Sequence, residues 1–346
     1  MRIWFDVLTP KQVMFFRRAV AFLQEKGHDV LCTSRDYREP VELARMKGLK
    51  LEIVGRHGGS ERYGKLVASA ERTRALADVV SGFSPDVAAT FSSPEGARVA
   101  FGLGIRHVGF NDSPHATAVA RLTVPLMSRL LCPQAIPVSA WTGFGISARS
   151  ITRYRALDPA AWLKGEKPRT GSSGRKTALV RLEESKASYL ADGKLSSSAL
   201  VDAAVDELSR HADVLILCRY SDQMEEAKQK YGDKARIVEG VFDGVPLLKT
   251  ADLFIGAGGT MSAEAALLGV PTVSIAPVRY HVEDYLVKTG LVGRTRDPRT
   301  LSRLVKKMLD DEKFRAAHAR KAARLLASME DPVKKMTAAM LRDHKL

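Results

Sequence analysis

Short β-rich runs alternate with amphipathic segments along this 346-residue chain, and the alternation occurs twice. In the first half the pattern predicts strands near Ile3–Val7, Asp29–Thr33, Leu51–Val54, Asp86–Phe91 and His107–Asn111. Helical patterns lie between them, for example Lys11–Lys26 and Ser60–Gly82. A polar stretch, KGEKPRTGSSGRK at Lys164–Lys176, interrupts the rhythm. Strands restart near Ala178–Leu182, Val214–Arg219, Arg236–Glu239, Leu253–Gly256 and Thr272–Ala276. Few folds admit this alternation: a helix must cross from each strand to the next parallel one and cover a face of the sheet. The expected class is α/β, with two Rossmann-like, doubly wound domains over residues 1–165 and 176–330. The Gly, Ser, Pro and Lys content between them suits a linker. There is no short-period repeat.

Composition bears on class and partners. A hydrophobic content of 45% with 27% charged residues reads as an ordinary soluble protein. No apolar run reaches the ~18 residues of a membrane span. The chain opens directly on the strand-like RIWFDV without a leader pattern, so a cytoplasmic protein is expected. Cys32, Cys132 and Cys218 are far apart and odd in number, which predicts neither a disulfide framework nor a metal set. Fifty-four basic against 39 acidic residues leave a net charge of +15. That balance favours anionic partners: phosphates, nucleic acid or an acidic membrane surface. Oligomeric state is not legible here.

In open parallel sheets, ligands bind beyond the carboxyl ends of the strands. After the five first-half strands come DVLTPK (Asp6–Lys11), TSRD (Thr33–Asp36), GRHGGSERYGK (Gly55–Lys65), SSPEG (Ser92–Gly96) and NDSPH (Asn111–His115). Each is polar or turn-forming and precedes a helix. Capping accounts for much of this, and for SSPEG it is the simpler reading. HGG and NDSPH are different, because they put His57, His115 and Asp112 on one expected sheet edge beside bare glycine backbone. These three are the candidate general bases. Lys11, Arg35, Gly58, Gly59, Ser93, Glu95 and Asn111 share the same edge and are candidate ligand contacts there.

In the second half, FIGAGGTMSAEAALLGVPTVSI (Phe254–Ile275) runs a buried strand into a glycine turn. Bare backbone at Gly258 and Gly259 allows close approach or unusual dihedrals. The helix starting near Thr260 offers unpaired N–H groups and a positive dipole end, an anion site. A capping box from Thr260 would need its acid at Ala263, so Glu264 is not explained by one. One turn beyond a phosphate, a carboxylate can accept two hydrogen bonds from a ribose diol. Tight strand–helix packing is the alternative for the glycines.

Gly258-Gly259-Thr260, Glu264-Ala265 and Gly269-Val270-Pro271 resemble the C-terminal signature of glycosyltransferase-B enzymes. They are similar to the lipid-linked peptidoglycan-precursor GlcNAc transferases and the non-hydrolysing UDP-GlcNAc 2-epimerases. FFRRAVAFLQEKGHDV (Phe15–Val30) resembles the first helix and second strand of those proteins. IWFDVLTPK, GRHGG, SPEGARVAFGLGI and NDSPHATAVARLTVPL resemble segments of an uncharacterised, largely archaeal group of glycosyltransferase-B-like proteins, and that likeness covers nearly the whole chain. It implies two Rossmann-like domains across a cleft, the acceptor mainly on the first and a nucleotide-sugar on the second, with residues 331–346 crossing back to the first. Gly258, Gly259 and Thr260 would take the diphosphate, Glu264 the ribose, and Arg181 the leaving charge. A surface ion pair with Glu183 or Glu184 is the other reading of Arg181. The resemblance implies no metal and no cofactor, the nucleotide-sugar being substrate. VRLEES laid on the epimerases' HRREN-like segment puts Val180 where they carry His, which weakens the epimerase reading.

Four functions follow in order: a metal-independent glycosyltransferase, a sugar-nucleotide epimerase, a non-catalytic binder of an anionic ligand, and a nucleic-acid binder. The last is disfavoured by the lack of helix-turn-helix, zinc spacing or aromatic RNA motif and by only 7% aromatics.

Overall fold

The structure, a computed structural model, describes residues 1–59, 61–166, 174–183, 197–218 and 220–341. Two compact units divide it: Met1–Trp162 with Glu330–Leu346, and Leu163–Met329. The first unit begins β1 (Arg2–Asp6), α1 (Pro10–Glu25), β2 (Asp29–Asp36), α2 (Arg38–Met46), β3 (Glu52–Arg56) and α3 (Arg62–Phe83). It continues with β4 (Val87–Thr90), α4 (Pro94–Gly102), β5 (Arg106–Phe110), α5 (Thr117–Thr123), β6 (Arg129–Pro133), α6 (Ser139–Thr142) and β7 (Ile151–Tyr154), then α7 (Ala160–Leu163) at the boundary. The second unit holds β8 (Thr177–Arg181), α8 (Ser198–Leu208), β9 (Asp213–Leu217), α9 (Ser221–Tyr231), β10 (Arg236–Val238), α10 (Gly244–Thr250), β11 (Leu253–Gly256) and α11 (Thr260–Leu267). It ends with β12 (Thr272–Ser274), α12 (His281–Lys288), β13 (Val292–Arg294), α13 (Pro298–Asp310) and α14 (Glu312–Ser328), and α15 (Pro332–Leu341) belongs to the first unit.

Each unit carries one parallel sheet. The orders are β3-β2-β1-β4-β5-β6-β7 and β10-β9-β8-β11-β12-β13, so the chain reverses direction across β1 in the first sheet and β8 in the second. Buried on both faces, the central strands read as apolar runs: Ile3, Trp4 and Phe5 in β1, and Leu253, Phe254 and Ile255 in β11, are fully buried. α1 starts where Thr9 caps Gln12 N–H and Pro10 takes the first turn, and it buries Phe15, Phe16, Ala19, Val20 and Leu23. Edge-to-face rings of Phe5, Phe16, Phe15 and Phe110, with centroids 5.2–5.6 Å apart, bind that helix to β1 and β5. The Gln12 side chain accepts from Leu8 N–H and donates to the Phe91 carbonyl, at 2.6 and 2.9 Å, which joins the β1 and β4 exits. Arg106 donates to the Ala339 and Met340 carbonyls and anchors the end of α15 to the start of β5.

β6, β7 and β13 were not expected. Each is three to five residues long, and Pro133 in β6 and Gly293 in β13 dilute the strand signal. The centre of the anticipated linker, 167–173, lies outside the described residues, as do Glu184 and the far end of the Val214–Arg219 strand. Among the described residues, no helix is long and apolar enough to cross a membrane.

Candidate functional site

The carboxyl edge of the first sheet collects the exits of β1, β4, β5 and β7. Lys11 at the start of α1 lies with its Nζ 2.6 Å from Asp112 Oδ2 and 2.6 Å from Asp158 Oδ2. The ammonium also sits 4.2 Å from the Phe91 ring centre. Ser113 Oγ donates to Asp112 Oδ1, and the Tyr154 hydroxyl donates to Asp158 Oδ1. Two carboxylates on one ammonium leave a net negative charge in a nearly closed space. Burial would lower the proton affinity of Lys11, but Asp112 and Asp158 outweigh it and hold it above the ordinary lysine value. Burial would raise Asp112, and the Lys11 charge reverses that and keeps it below the usual carboxylate range. Asp158, 1% exposed at its side chain, is pushed by burial up to about 6, against the opposing pull of Lys11.

In a second buried cluster, Arg72 of α3 reaches Asp6 at the end of β1 through two nitrogens, at 3.1 and 2.6 Å, and donates to the Val54 carbonyl. Ser93 and Thr33 also donate to Asp6, and Trp4 donates to Thr33. Burial would raise Asp6, yet Arg72 together with the Ser93 and Thr33 hydroxyls outweighs it and holds Asp6 below the usual carboxylate range. Ser93, assigned from sequence to the acceptor side, is fully buried: it caps α4 through Gly96 N–H and completes the Asp6 shell. Glu95, also assigned there, is buried 3.6 Å from Arg72. Asn111 is buried and accepts from Ser113 N–H at 2.7 Å, which shapes the loop carrying Asp112. For these three side chains the structure supplies capping, charge-pairing and turn roles.

The remaining edge residues are more open. His57 is half-buried and stacks on Tyr37, ring centres 4.4 Å apart, with Nδ1 accepting from Gly59 N–H. Arg35 lies 5.9 Å from the Tyr37 ring, and burial lowers its proton affinity with Glu95 partly offsetting. A Cβ on Gly58 would meet the Lys65 backbone at 2.5 Å, so glycine there lets α3 start against the loop. Gly59 has φ +73° and open space around it. His115 is half-buried in the loop from β5 to α5. Of the three candidate bases, Asp112 is the one with a direct ion pair to Lys11.

In the second unit the expected glycine turn follows β11. Gly258 and Gly259 both have positive φ, +96° and +88°. A Cβ on Gly258 would press 2.7 Å from the Tyr280 ring, whereas one on Gly259 would meet nothing within 4 Å. Gly259 is the N-cap of α11 and supplies no side-chain cap, so no capping box exists and Thr260 is the first helical residue. Glu264 is buried one turn along. Its Oε2 lies 3.9 Å from where a Cβ on Gly244 would stand, at the start of α10. Arg181 ends β8 in register with Gly256 and donates to the Cys218 carbonyl at 3.0 Å, towards β9.

Asp158, Tyr154 and Arg72 escaped the sequence reading. Asp158 follows β7, so recognising ITRY as a strand would have exposed ALDP as one more exit segment. Arg72 stands in the buried row Ala68, Arg72, Leu76, Val80, a charge at an apolar helical position.

The profile of the family described as a protein of unknown function (DUF354) matches residues 1–340. The chain belongs to that family. The uncharacterized protein MJ0665 of Methanocaldococcus jannaschii is 29% identical over 308 residues, covering 85% of this chain and 88% of that protein. Among solved structures, UDP-GlcNAc 2-epimerase from Neisseria meningitidis, bound to UDP-GlcNAc, is similar with a TM-score of 0.69 at 12% identity, covering 99% of this chain and all of that one. The spinosyn rhamnosyltransferase SpnG, complexed with thymidine diphosphate, is similar with a TM-score of 0.64 at 17% identity, covering 98% and 100%. At such identities the likeness shows the fold: two Rossmann-like parallel-sheet units of the glycosyltransferase-B type.

Proposed function

We propose that this protein transfers a sugar from a nucleotide-sugar to an acceptor. One observation carries the reading: the positive-φ turn Gly258–Gly259, open at Gly259, which delivers backbone to the start of α11 without a side-chain cap and has the Glu264 carboxylate one turn further on. A diphosphate fits the N–H groups at that helix start, and a ribose diol fits the carboxylate. Arg181, which ends β8 in register with Gly256, would offset charge on the departing diphosphate, so that in this reading the transfer proceeds without a metal. The UDP-GlcNAc and thymidine diphosphate held by the two structural relatives support a nucleoside-diphosphate ligand. The acceptor is assigned to the first unit. His57 and His115 are the better bases for its hydroxyl, because Lys11 holds Asp112 at low proton affinity and a base works best near the operating pH.

Epimerisation is the second reading, favoured by the higher TM-score of the epimerase relative and opposed by Val180 in the place of a histidine. The two separate in deuterium oxide: epimerisation through loss of the C2 proton incorporates deuterium into UDP-GlcNAc without an acceptor, and transfer does not. The binding site itself is tested by titrating UDP and UDP-GlcNAc against the wild type and Glu264→Gln. A ligand at 100 times its dissociation constant adds about 2.7 kcal/mol of stability, visible in a melting curve. The expected result is an affinity loss of about tenfold in Glu264→Gln, the loss of a charge-assisted bond, over and above any change in the ligand-free melt. Failure of every nucleoside diphosphate and nucleotide-sugar to shift the wild-type melt overturns the proposal.

A further inference from the structure

The large apolar side chains that stand exposed among the described residues all lie in the first 122 positions. Three of them gather at the amino edge of the first sheet, opposite the candidate site. Phe101 near the end of α4 is 61% exposed, Leu103 just beyond it 43%, and Leu122 near the end of α5 59%. α4 and α5 pack against each other, and the 3₁₀ turn Val124–Leu126 that continues α5 also packs on α4. Both connections therefore descend to the same edge, where β5 and β6 begin. Gly102, Gly104 and Pro125 are exposed on the same connections and add no polar side chain.

Charge distinguishes this surface from an ordinary scatter of exposed apolar residues. Arg98 and Arg121 are exposed on the same two helices. A Cβ on Gly102 would meet Arg98 Nη1 at 2.9 Å, which puts that guanidinium beside Phe101 at the end of α4. Between Gly96 and Leu157 the chain has seven arginines, no lysine, and Asp112 as its only acid. Asp112 sits at the opposite edge, ion-paired with Lys11. No acidic residue of this stretch is therefore available to compensate Arg98 and Arg121.

We propose that this amino-edge surface docks on an anionic lipid bilayer. The three apolar side chains enter the interface and the flanking guanidiniums meet acidic headgroups, the two-signal arrangement by which proteins without a spanning helix bind membranes. A second copy of the chain is a poorer occupant, because a two-fold contact would set each arginine-rich surface against itself. Docking here leaves the carboxyl edge of the same sheet uncovered, so the proposal stands independently of the transferase reading.

The test is co-sedimentation of the full chain with vesicles of phosphatidylcholine alone and of phosphatidylcholine mixed with phosphatidylglycerol. Binding to the mixed vesicles, absent with the neutral ones and weakened by salt, is expected. Phe101→Ser with Leu122→Ser, and separately Arg98→Glu with Arg121→Glu, should each lower the partition coefficient tenfold or more while circular dichroism melts stay unchanged. The pair Arg303→Glu with Lys306→Glu, exposed on α13 of the other unit, matches the charge change and should retain most binding. No binding by the wild type refutes the proposal, as does equal loss in the α13 pair, which would mean nonspecific attraction by the net charge. A concentration-dependent dimer dissolved by Phe101→Ser, without vesicle binding, would assign the surface to a second copy instead.

Discussion

Asp158→Asn isolates the electrostatics of the Lys11 cluster, because asparagine preserves the side-chain size and an acceptor for the Tyr154 hydroxyl. In the wild type, burial raises the Asp158 carboxyl from 3.8 to about 6. Well below pH 3.8 the group is neutral in folded and unfolded chains, and its stabilising preference for the folded state is fully present. As pH rises, the unfolded chain ionises first while the folded one holds its proton. Stability is therefore lost through the window from 3.8 to about 6. A shift of about two units at 1.36 kcal/mol each sets the loss at no more than about 3 kcal/mol. The variant has no such carboxyl, and its Asp112 no longer shares the Lys11 ammonium with a second carboxylate. Relative to the wild type, Asp158→Asn should thus gain up to about 3 kcal/mol between roughly pH 4 and pH 7, whatever its fixed cost at acid pH. All three tryptophans, Trp4, Trp141 and Trp162, lie in the first unit, so urea titrations followed by their fluorescence report this unit separately. A stability difference that is constant with pH, or that turns against the variant as pH rises, would refute the argument.

Two further outcomes follow from packing. Arg72→Leu removes the guanidinium from a fully buried Asp6 and should cost about 3–5 kcal/mol in urea titration, with Arg72→Lys recovering part; a cost below about 1 kcal/mol would show that Asp6 is solvated after all. Gly258→Ala and Gly259→Ala both place a side chain at positive φ, and Gly259, at φ +88° and ψ −176°, lies in a region that is essentially glycine's alone, so each variant should lose at least about 1–2 kcal/mol. The first also drives a Cβ to 2.7 Å from the Tyr280 ring, and an unchanged melting point in either variant would refute the strain argued for it.

Much of the architecture can be read from local pattern. β1, β4 and β11 announce themselves through apolar runs that lead into Asp, Ser or Gly, because a strand buried on both faces must be apolar and its exit must turn. The glycine turn after β11 was legible for the same reason: consecutive glycines between a buried strand and a helix have few other uses. Strands as short as VGR carry too little signal, and losing β7 hid Asp158 along with it. Residue type placed Asp112 among the candidate bases and Ser93 and Glu95 on the acceptor side. Only the tertiary structure pairs Asp112 with Lys11, and only there do Ser93 and Glu95 gather around Asp6 and Arg72. Periodicity records which face of an element is apolar, and that is a property of neighbours along the chain. The proton affinity of a carboxylate depends on charges brought within a few ångströms from distant positions, and Asp112 and Asp158 acquire theirs only when β5 and β7 lie beside each other's neighbours in one sheet, with Lys11 between them.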